Sequence, residues 1–254
     1  MKTRAVRLHG AEDLRVDEFE LPDIREDEIL ARVVVDSLCP STYKAAKLAT
    51  THKRVPPDIA ENPIIVGHEF CGEFVRVGAK LSGRFWPGQK FTVQPAMNYR
   101  GSMAAAGYSF PYYGGDATYI IIPPEVMETD CLFVYGGDSF FAGALAEPFS
   151  CVVGTFHAMY HHAEPGKYRH EMGIKEGGSM ALLAGGGPMG LSVIEYILNC
   201  DRKPSRLIVT DIAEARLQRA GEILSVEYAA ERGVELKYLN TKNCADPDAE
   251  LMAF

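Results

Sequence analysis

The sequence predicts an α/β protein in two parts. Residues 1–155 read as a β-rich domain, and residues 156–254 as part of a doubly wound parallel sheet. Three observations lead there. Short runs of β-branched and aromatic residues, separated by Gly, Pro, Asp and Asn, fill the first part. Later, strand-like and helix-like stretches alternate, as they do in βαβ units. Finally, 254 residues with 47% hydrophobic and 24% charged side chains suffice for a sizeable core.

In order, the strand candidates of the first part are RAVRLHG, DLRVDEFEL, EILARVVVDSL, EFVRVG, KFTVQP and TYIIIP. Their spacing suits a small barrel or sandwich. WPGQKF is a turn, with Pro87 and Gly88 reversing the chain. FAGALAEPFSCVVGTFHAMYHH reads as helix broken at Pro148 and Gly154. HHAEPGKYRHEMGIKEGG is polar and reads as a surface excursion. Then come a strand, a glycine turn and a helix in SMALLAGGGPMGLSVIEYILN, and a buried strand in RLIVTDI. A charged helical stretch, AEARLQRAGEILSVEYAAERG, and a third strand, VELKYLN, follow. CADPDAELMAF starts a helix with Asp246 or Asp248 near its N-cap. Three strands are half of a six-stranded dinucleotide-binding sheet, so the chain is expected to be a fragment of a longer protein.

The net charge of -8 argues against nucleic acid or an anionic membrane as partner. No apolar run is long enough for a membrane span, and the basic start lacks an apolar segment behind it, so a cytoplasmic protein is expected. The six cysteines are irregularly spaced, with no C-x-x-C, which argues against a disulfide framework and a small cysteine-rich zinc module.

The turn AGGGPMG places Gly185, Gly187 and Gly190 as G-x-G-x-x-G between a strand and a helix. Gly185 permits the tight turn, and Gly187 lets a pyrophosphate approach the backbone. Gly190 lets helix and strand pack closely. With Pro188 and Met189, these residues form the start of a helix that faces phosphates. Asp211 ends the next strand about twenty residues beyond Gly190, where a ribose-binding acid belongs. A carboxylate there favours NAD, while Arg216 nearby leaves NADP open.

The stretch NPIIVGHEFCGEFVRVG sets His68 and Glu69 between apolar flanks. Cys39 follows a strand, and Glu147 lies in ALAEPF. Cys, His and carboxylate groups from separate loops are the donor types a zinc site with an open position uses. Singly, each has an ordinary structural reading.

Taken together, VGHEFCGEFVRVG, SLCPSTY, GGDATYIIIP, ALAEPFSCVVGTFHA and LLAGGGPMG resemble the zinc-dependent medium-chain dehydrogenases of the alcohol and polyol dehydrogenase superfamily. The likeness is to the sorbitol and threonine dehydrogenase branch. It covers nearly the whole chain. It implies a GroES-like first domain and a Rossmann second domain, incomplete here. Cys39 and His68 would be catalytic zinc ligands. Glu69 would ligate zinc directly or through water, and Glu147 would supply the remaining carboxylate. Ser41 matches the hydroxyl that takes the substrate's proton.

Departures from the pattern are Pro40 where the family has Gly, Thr42 where it has an Asp supporting the zinc-bound His, and Lys44 where a relay His often stands. The stretch matching the family's four-cysteine lobe, QPAMNYRGSMAAAGYSFPYYGG, has no cysteine. One catalytic zinc and no structural zinc are therefore expected, and Cys71 reads as core packing.

The implied reaction is hydride transfer between NAD(P) and a polyol, sugar or sugar-phosphate substrate. SLCPSTYKAAK looks most like the sugar-phosphate reductases such as L-sorbose-1-phosphate reductase. Lys44, Lys47, Lys53 and Arg54 read either as a solvated basic face or as contacts for a substrate phosphate. Tyr43, Tyr99 and Arg100 are further candidates for lining that site. The alternatives are a zinc-free quinone reductase of the same superfamily and a non-catalytic dinucleotide-binding fragment. A homo-oligomer is expected of the full-length protein.

Overall fold

The computed structural model describes residues 1–164 and 166–254; Pro165, within the predicted surface excursion, lies outside the described residues. The chain divides into two compact units, Met1–Glu147 and Pro148–Phe254. The division expected at 155/156 lies farther along, inside the helix Ala146–Ala158.

The first unit is built on a five-stranded antiparallel sheet in the order Tyr119–Ile122, Ile29–Asp36, Phe70–Val77, Lys90–Val93, Leu132–Val134. A second sheet pairs Lys2–Gly10 with Asp13–Glu20 and with Ile64–Ile65. Alternate side chains enter one core, where Phe70, Phe74, Phe91, Tyr113, Ile29 and Ile120 are almost wholly buried. Phe74 stacks on Phe91 at 5.0 Å, and Phe70 meets Phe91 edge-on at 6.1 Å. Each such ring or branched chain contributes about 1.5–3 kcal/mol by leaving water.

This sheet decides where the candidate site forms. Strand Ile29–Asp36 runs antiparallel to Phe70–Val77, with Asp36 opposite Phe70. The end of one strand and the start of the other therefore lie side by side. Residues just after Asp36 meet residues just before Phe70, and Ser37 N–H donates to Glu69 O at 3.0 Å.

The second unit holds a parallel sheet in the order Ser179–Leu182, Arg206–Asp211, Glu235–Asn240. Its crossovers contain the helices Pro188–Asn199, Glu214–Ile223 and Val226–Ala230. Ile194, Ile197, Leu198, Leu207 and Val209 form its buried centre. Pro247–Ala253 is helical, and Asp246 caps it by accepting from Ala249 N–H at 3.0 Å.

Two expected features differ. Helix Ala146–Ala158 is continuous through Pro148 and Gly154. Pro148 falls in the first turn, where its missing N–H costs no helical bond. Gly154 costs about 1 kcal/mol against alanine. Burial of Val152 and Phe156, the latter stacked on Tyr196 at 4.7 Å, offsets that cost. The excursion is in part ordered as well. Tyr160–His162 pairs antiparallel with His170–Met172, closing a hairpin where the helix was expected to continue.

Candidate metal and substrate site

Cys39 leaves the sheet and stands at the N-cap of the helix Pro40–Leu48, whose first residue is a proline. That helix brings Ser41 back beside Cys39, with Sγ and Oγ 2.9 Å apart. His68 and Glu69 arrive from the neighbouring strand. Cys39, His68 and Glu69 each offer a ligand atom within 4.8 Å of the others, and they are the one such group of three found among the described residues. His68 and Glu69 are both buried, each 6% exposed.

Gly67 explains the corner before them. Its φ is +88°, and a side-chain carbon there would run into the Asp36 carboxylate and the Asp116 backbone. Gly107 packs against the Gly67 backbone, and Gly115 N–H donates to Gly67 O at 2.8 Å. Three backbone segments thus cross with no side chain between them.

Glu69 is fixed from three sides. Ser37 donates its hydroxyl to Glu69 Oε2. Glu69 N–H donates to Asp36 Oδ1 at 3.0 Å, and Glu69 O takes the bond from Ser37 N–H. Burial, and then the charge of Glu69, push Glu147 up to about 7. Glu147 is therefore in electrostatic reach of Glu69, although it is not one of the close group of three.

His68 Nε2 lies 3.3 Å from Ser41 Oγ and 3.5 Å from the Tyr108 hydroxyl. Burial holds the imidazole below its usual value, Glu69 opposing and Arg54 adding to the shift, so the ring is neutral as a ligand must be. Its Nδ1 is buried without a partner among the described residues. The expected supporting Asp is Thr42 here, and no other acceptor replaces it. Support comes from the Tyr108 ring, 5.0 Å from the His68 ring. Tyr108 O–H donates to Ser41 Oγ at 2.8 Å, and His52 stacks on its ring at 5.5 Å.

Behind the corner, two acids face each other. Burial and then Asp116 raise the carboxyl of Asp36 well above the usual range, and burial also raises Asp116. Asp36 Oδ2 has no donor as the two carboxylates stand. A proton kept on one acid supplies the missing bond. Because the folded value is raised, this contribution is present at low pH. It is lost as pH climbs from the usual carboxylate range through the raised value. Asp36→Asn is expected to flatten that loss of stability. Denaturant unfolding from mildly acidic to mildly alkaline pH measures it, and equal slopes in variant and parent would contradict the shared proton.

Of the other candidates, Tyr43 is 68% exposed. Arg100 lies over the Tyr99 ring and is 4.0 Å from Glu128, so this pair is engaged with that acid. Cys71 is buried in the core, its thiol pushed up to about 11 chiefly by burial, which fits its packing role. The sequence reading passed over Tyr108, His52, Ser37, Asp36 and Asp116. Tyr108 and Ser41 are 67 residues apart, so no local pattern signals their contact.

In the second unit the glycine turn has the expected local form. Gly185 N–H donates to Thr210 O at 2.7 Å, and Gly187 is the N-cap of Pro188–Asn199 with Pro188 in its first turn. A side-chain carbon on Gly190 would strike the backbone of Gly185, so helix and turn touch directly. Met189 is 46% exposed at the helix start. Asp211 ends its strand and accepts from Gly186 N–H at 3.1 Å and Ala213 N–H at 2.9 Å. These bonds, Ala213 first, hold its carboxyl below the usual range. Its first task is thus to brace the glycine turn.

Residues 25–130 match the alcohol dehydrogenase GroES-like domain. Over 246 residues the chain is 47% identical to a mannitol-1-phosphate 5-dehydrogenase of Aliivibrio fischeri, covering 97% of this chain and 58% of that protein. Over 218 residues it is 50% identical to an L-sorbose 1-phosphate reductase of Klebsiella pneumoniae, covering 86% of this chain and 53% of the relative. The chain therefore spans less than two thirds of these curated relatives. A solved 2R,3R-butanediol dehydrogenase from Bacillus subtilis shares the fold at a TM-score of 0.68 and 22% identity, covering 98% of this chain and 66% of that one. No helix among the described residues is long and apolar enough to cross a membrane.

Proposed function

From the match of residues 25–130 to the alcohol dehydrogenase GroES-like domain, we propose that the chain forms the metal-holding part of a zinc-dependent oxidoreductase, together with the first half of its dinucleotide domain. The whole protein would transfer hydride between NAD(P) and a polyol, sugar or sugar phosphate. The observation that carries this reading is the convergence of Cys39, His68 and Glu69, with Ser41 touching two of them.

The residues fit zinc. Sulfur, imidazole nitrogen and carboxylate oxygen are its usual donors, they lie close together, and the imidazole is neutral. Cys39, His68 and Glu69 would hold the ion, with Glu147 the nearby second carboxylate. When bound, zinc supplies a Lewis acid toward an alcohol or carbonyl oxygen, and the nicotinamide takes or gives the hydride. The chain's own residues handle the proton. Ser41 Oγ stands beside the donors and relays the proton of the substrate hydroxyl: Oγ takes that proton as it hands its own to the Tyr108 oxygen 2.8 Å away and Tyr108 releases its own in turn, and the exchange runs backwards in the reverse direction. Before substrate binds, Tyr108 donates into Ser41 Oγ, which fixes the oxygen; in the carbonyl-reducing direction this leaves the Ser41 proton free to turn toward the substrate oxygen.

Gly185, Gly187, Pro188, Met189 and Gly190 would cradle the dinucleotide pyrophosphate at the helix start. Asp211 opposes a 2′-phosphate, while Arg216, whose charge acts on Asp211, offers one a partner, so both cofactors stay within the reading. Two relatives near half identity are named for sugar phosphates, which supports a phosphorylated substrate.

Ser41→Ala in the full-length protein tests the assignment. Turnover should fall by about a hundredfold or more with zinc content unchanged. Tyr108→Phe should lose less, and nothing further in the Ser41→Ala background. Undiminished turnover in Ser41→Ala would remove Ser41 from the proton path.

A further inference from the structure

The cations of the first unit fall into two groups. Within residues 1–147, every Lys and Arg outside 44–54 except Arg4 and Lys90 forms an ion pair. Lys90 instead donates to the carbonyls of Gly137 and Asp138 at 2.9 and 3.4 Å. Lys44, Lys47, Lys53 and Arg54 have no carboxylate partner among the described residues, and residues 37–57 contain no Asp or Glu. In a chain of net charge -8, four uncompensated cations in one segment are the exception.

Arg54 differs from the three lysines. They are exposed, whereas Arg54 is half-buried and held from several directions. Its Nη1 donates to Met103 O at 2.8 Å, and Ser109 Oγ donates to its carbonyl at 2.7 Å. Its backbone N–H donates to His52 Nδ1 at 3.3 Å, and the His52 ring lies on Tyr108. Segment 52–54 is thereby joined to the segment that carries Tyr108, and through it to Ser41.

We propose that Arg54 anchors the phosphate of a phosphorylated substrate, in an anion subsite that it forms with Lys44 and Lys53 beside Ser41. The assignment rests on the dehydrogenase reading for the identity of the substrate. The subsite itself follows from the unpaired cations and their attachment to Tyr108. Only one N–H of the Arg54 guanidinium is committed, to Met103, so the rest of its planar fork remains for phosphate oxygens. Arg54 follows His52, whose ring lies on Tyr108, and the Tyr108 hydroxyl bonds Ser41, so Arg54 stands near the reacting end of the site. After burial, the charges of Lys44, Arg54 and Lys53 lower the imidazole of His52, the ring that lies on Tyr108. Lys44 lies three residues after Ser41 on the helix Pro40–Leu48, and Lys53 adjoins Arg54 in the chain.

Calorimetric titration of the zinc-loaded chain with mannitol 1-phosphate and with mannitol tests this. The phosphate ester should bind at least about tenfold more tightly. Arg54→Met should erase that preference, while Arg4→Met, which removes an unpaired cation elsewhere in the same unit, should keep it. Equal binding of the two compounds, or a preference that survives in Arg54→Met, overturns the assignment. A second measurement needs no variant: phenylglyoxal labelling of Arg54, read by mass spectrometry, should be blocked by mannitol 1-phosphate and not by mannitol. Labelling unaffected by the ester also overturns it. Zinc content and NADH binding on the same sample report on the dehydrogenase reading separately. A chain that holds the ester at Arg54 but takes up no zinc keeps the subsite and loses the enzyme.

Discussion

Cys39→Ser is expected to take bound zinc from about one ion per chain to none. The close donor group has three members, and removing the thiolate takes away its softest and most strongly bound one. A serine hydroxyl does not ionise at neutral pH and does not replace it. The remaining pair, His68 and Glu69, is well placed but is too few to retain the ion through dialysis. Structural zinc ions contribute about 10–16 kcal/mol of apparent binding free energy, so losing a ligand is felt as lost occupancy. The fold should survive, because Cys39 sits at a helix N-cap without a side-chain capping bond. Metal analysis of dialysed protein, paired with thermal unfolding of the metal-free forms, separates the two effects. Zinc at the parental level in Cys39→Ser would remove Cys39 from the ligand set.

Gly67→Ala should cost more stability than any surface change in the first unit, about 3 kcal/mol or more. Left-handed backbone alone costs a residue with a side chain about 1–2 kcal/mol. The new methyl group would also press on the Asp116 backbone and the Asp36 carboxylate, both held by the sheet. The Asp116 backbone cannot swing aside, and the Asp36 carboxylate is tied through Oδ1 to Glu69 N–H. Denaturant unfolding gives the loss directly. A change within about 0.5 kcal/mol would show that the corner relaxes, and the close crossing at Gly67 would then have little energetic weight.

Much of this was legible in the sequence because its signals are local. Gly185, Gly187 and Gly190 announce a turn whose geometry admits no side chain at Gly190. Cys39, His68 and Glu69 could be gathered because each sits at a strand end, and the sheet register then sets them side by side. The rest depends on contacts between distant segments. Tyr108 reaches Ser41 from a stretch whose chief sequence feature was its lack of cysteine. The Asp36 and Asp116 pairing joins residues from opposite ends of the first unit's sequence. The helix through Pro148 was misjudged for another reason. Whether a proline breaks a helix depends on its distance from the helix start, and here the helix starts at Ala146, two residues before Pro148.

The crossing at Gly67 also bears on how the chain is made. The corner before His68 and Glu69 is complete only when residues 107 and 115 have come to lie against Gly67. A growing chain has already released Cys39, His68 and Glu69 well before those later segments emerge. During that interval the contacts across the intervening residues are unmade, and such non-local contacts cost more loop-closure entropy than local ones. The nascent protein therefore offers loose thiol, imidazole and carboxylate groups to any metal it meets, and metal selection has to wait for the later segments to arrive.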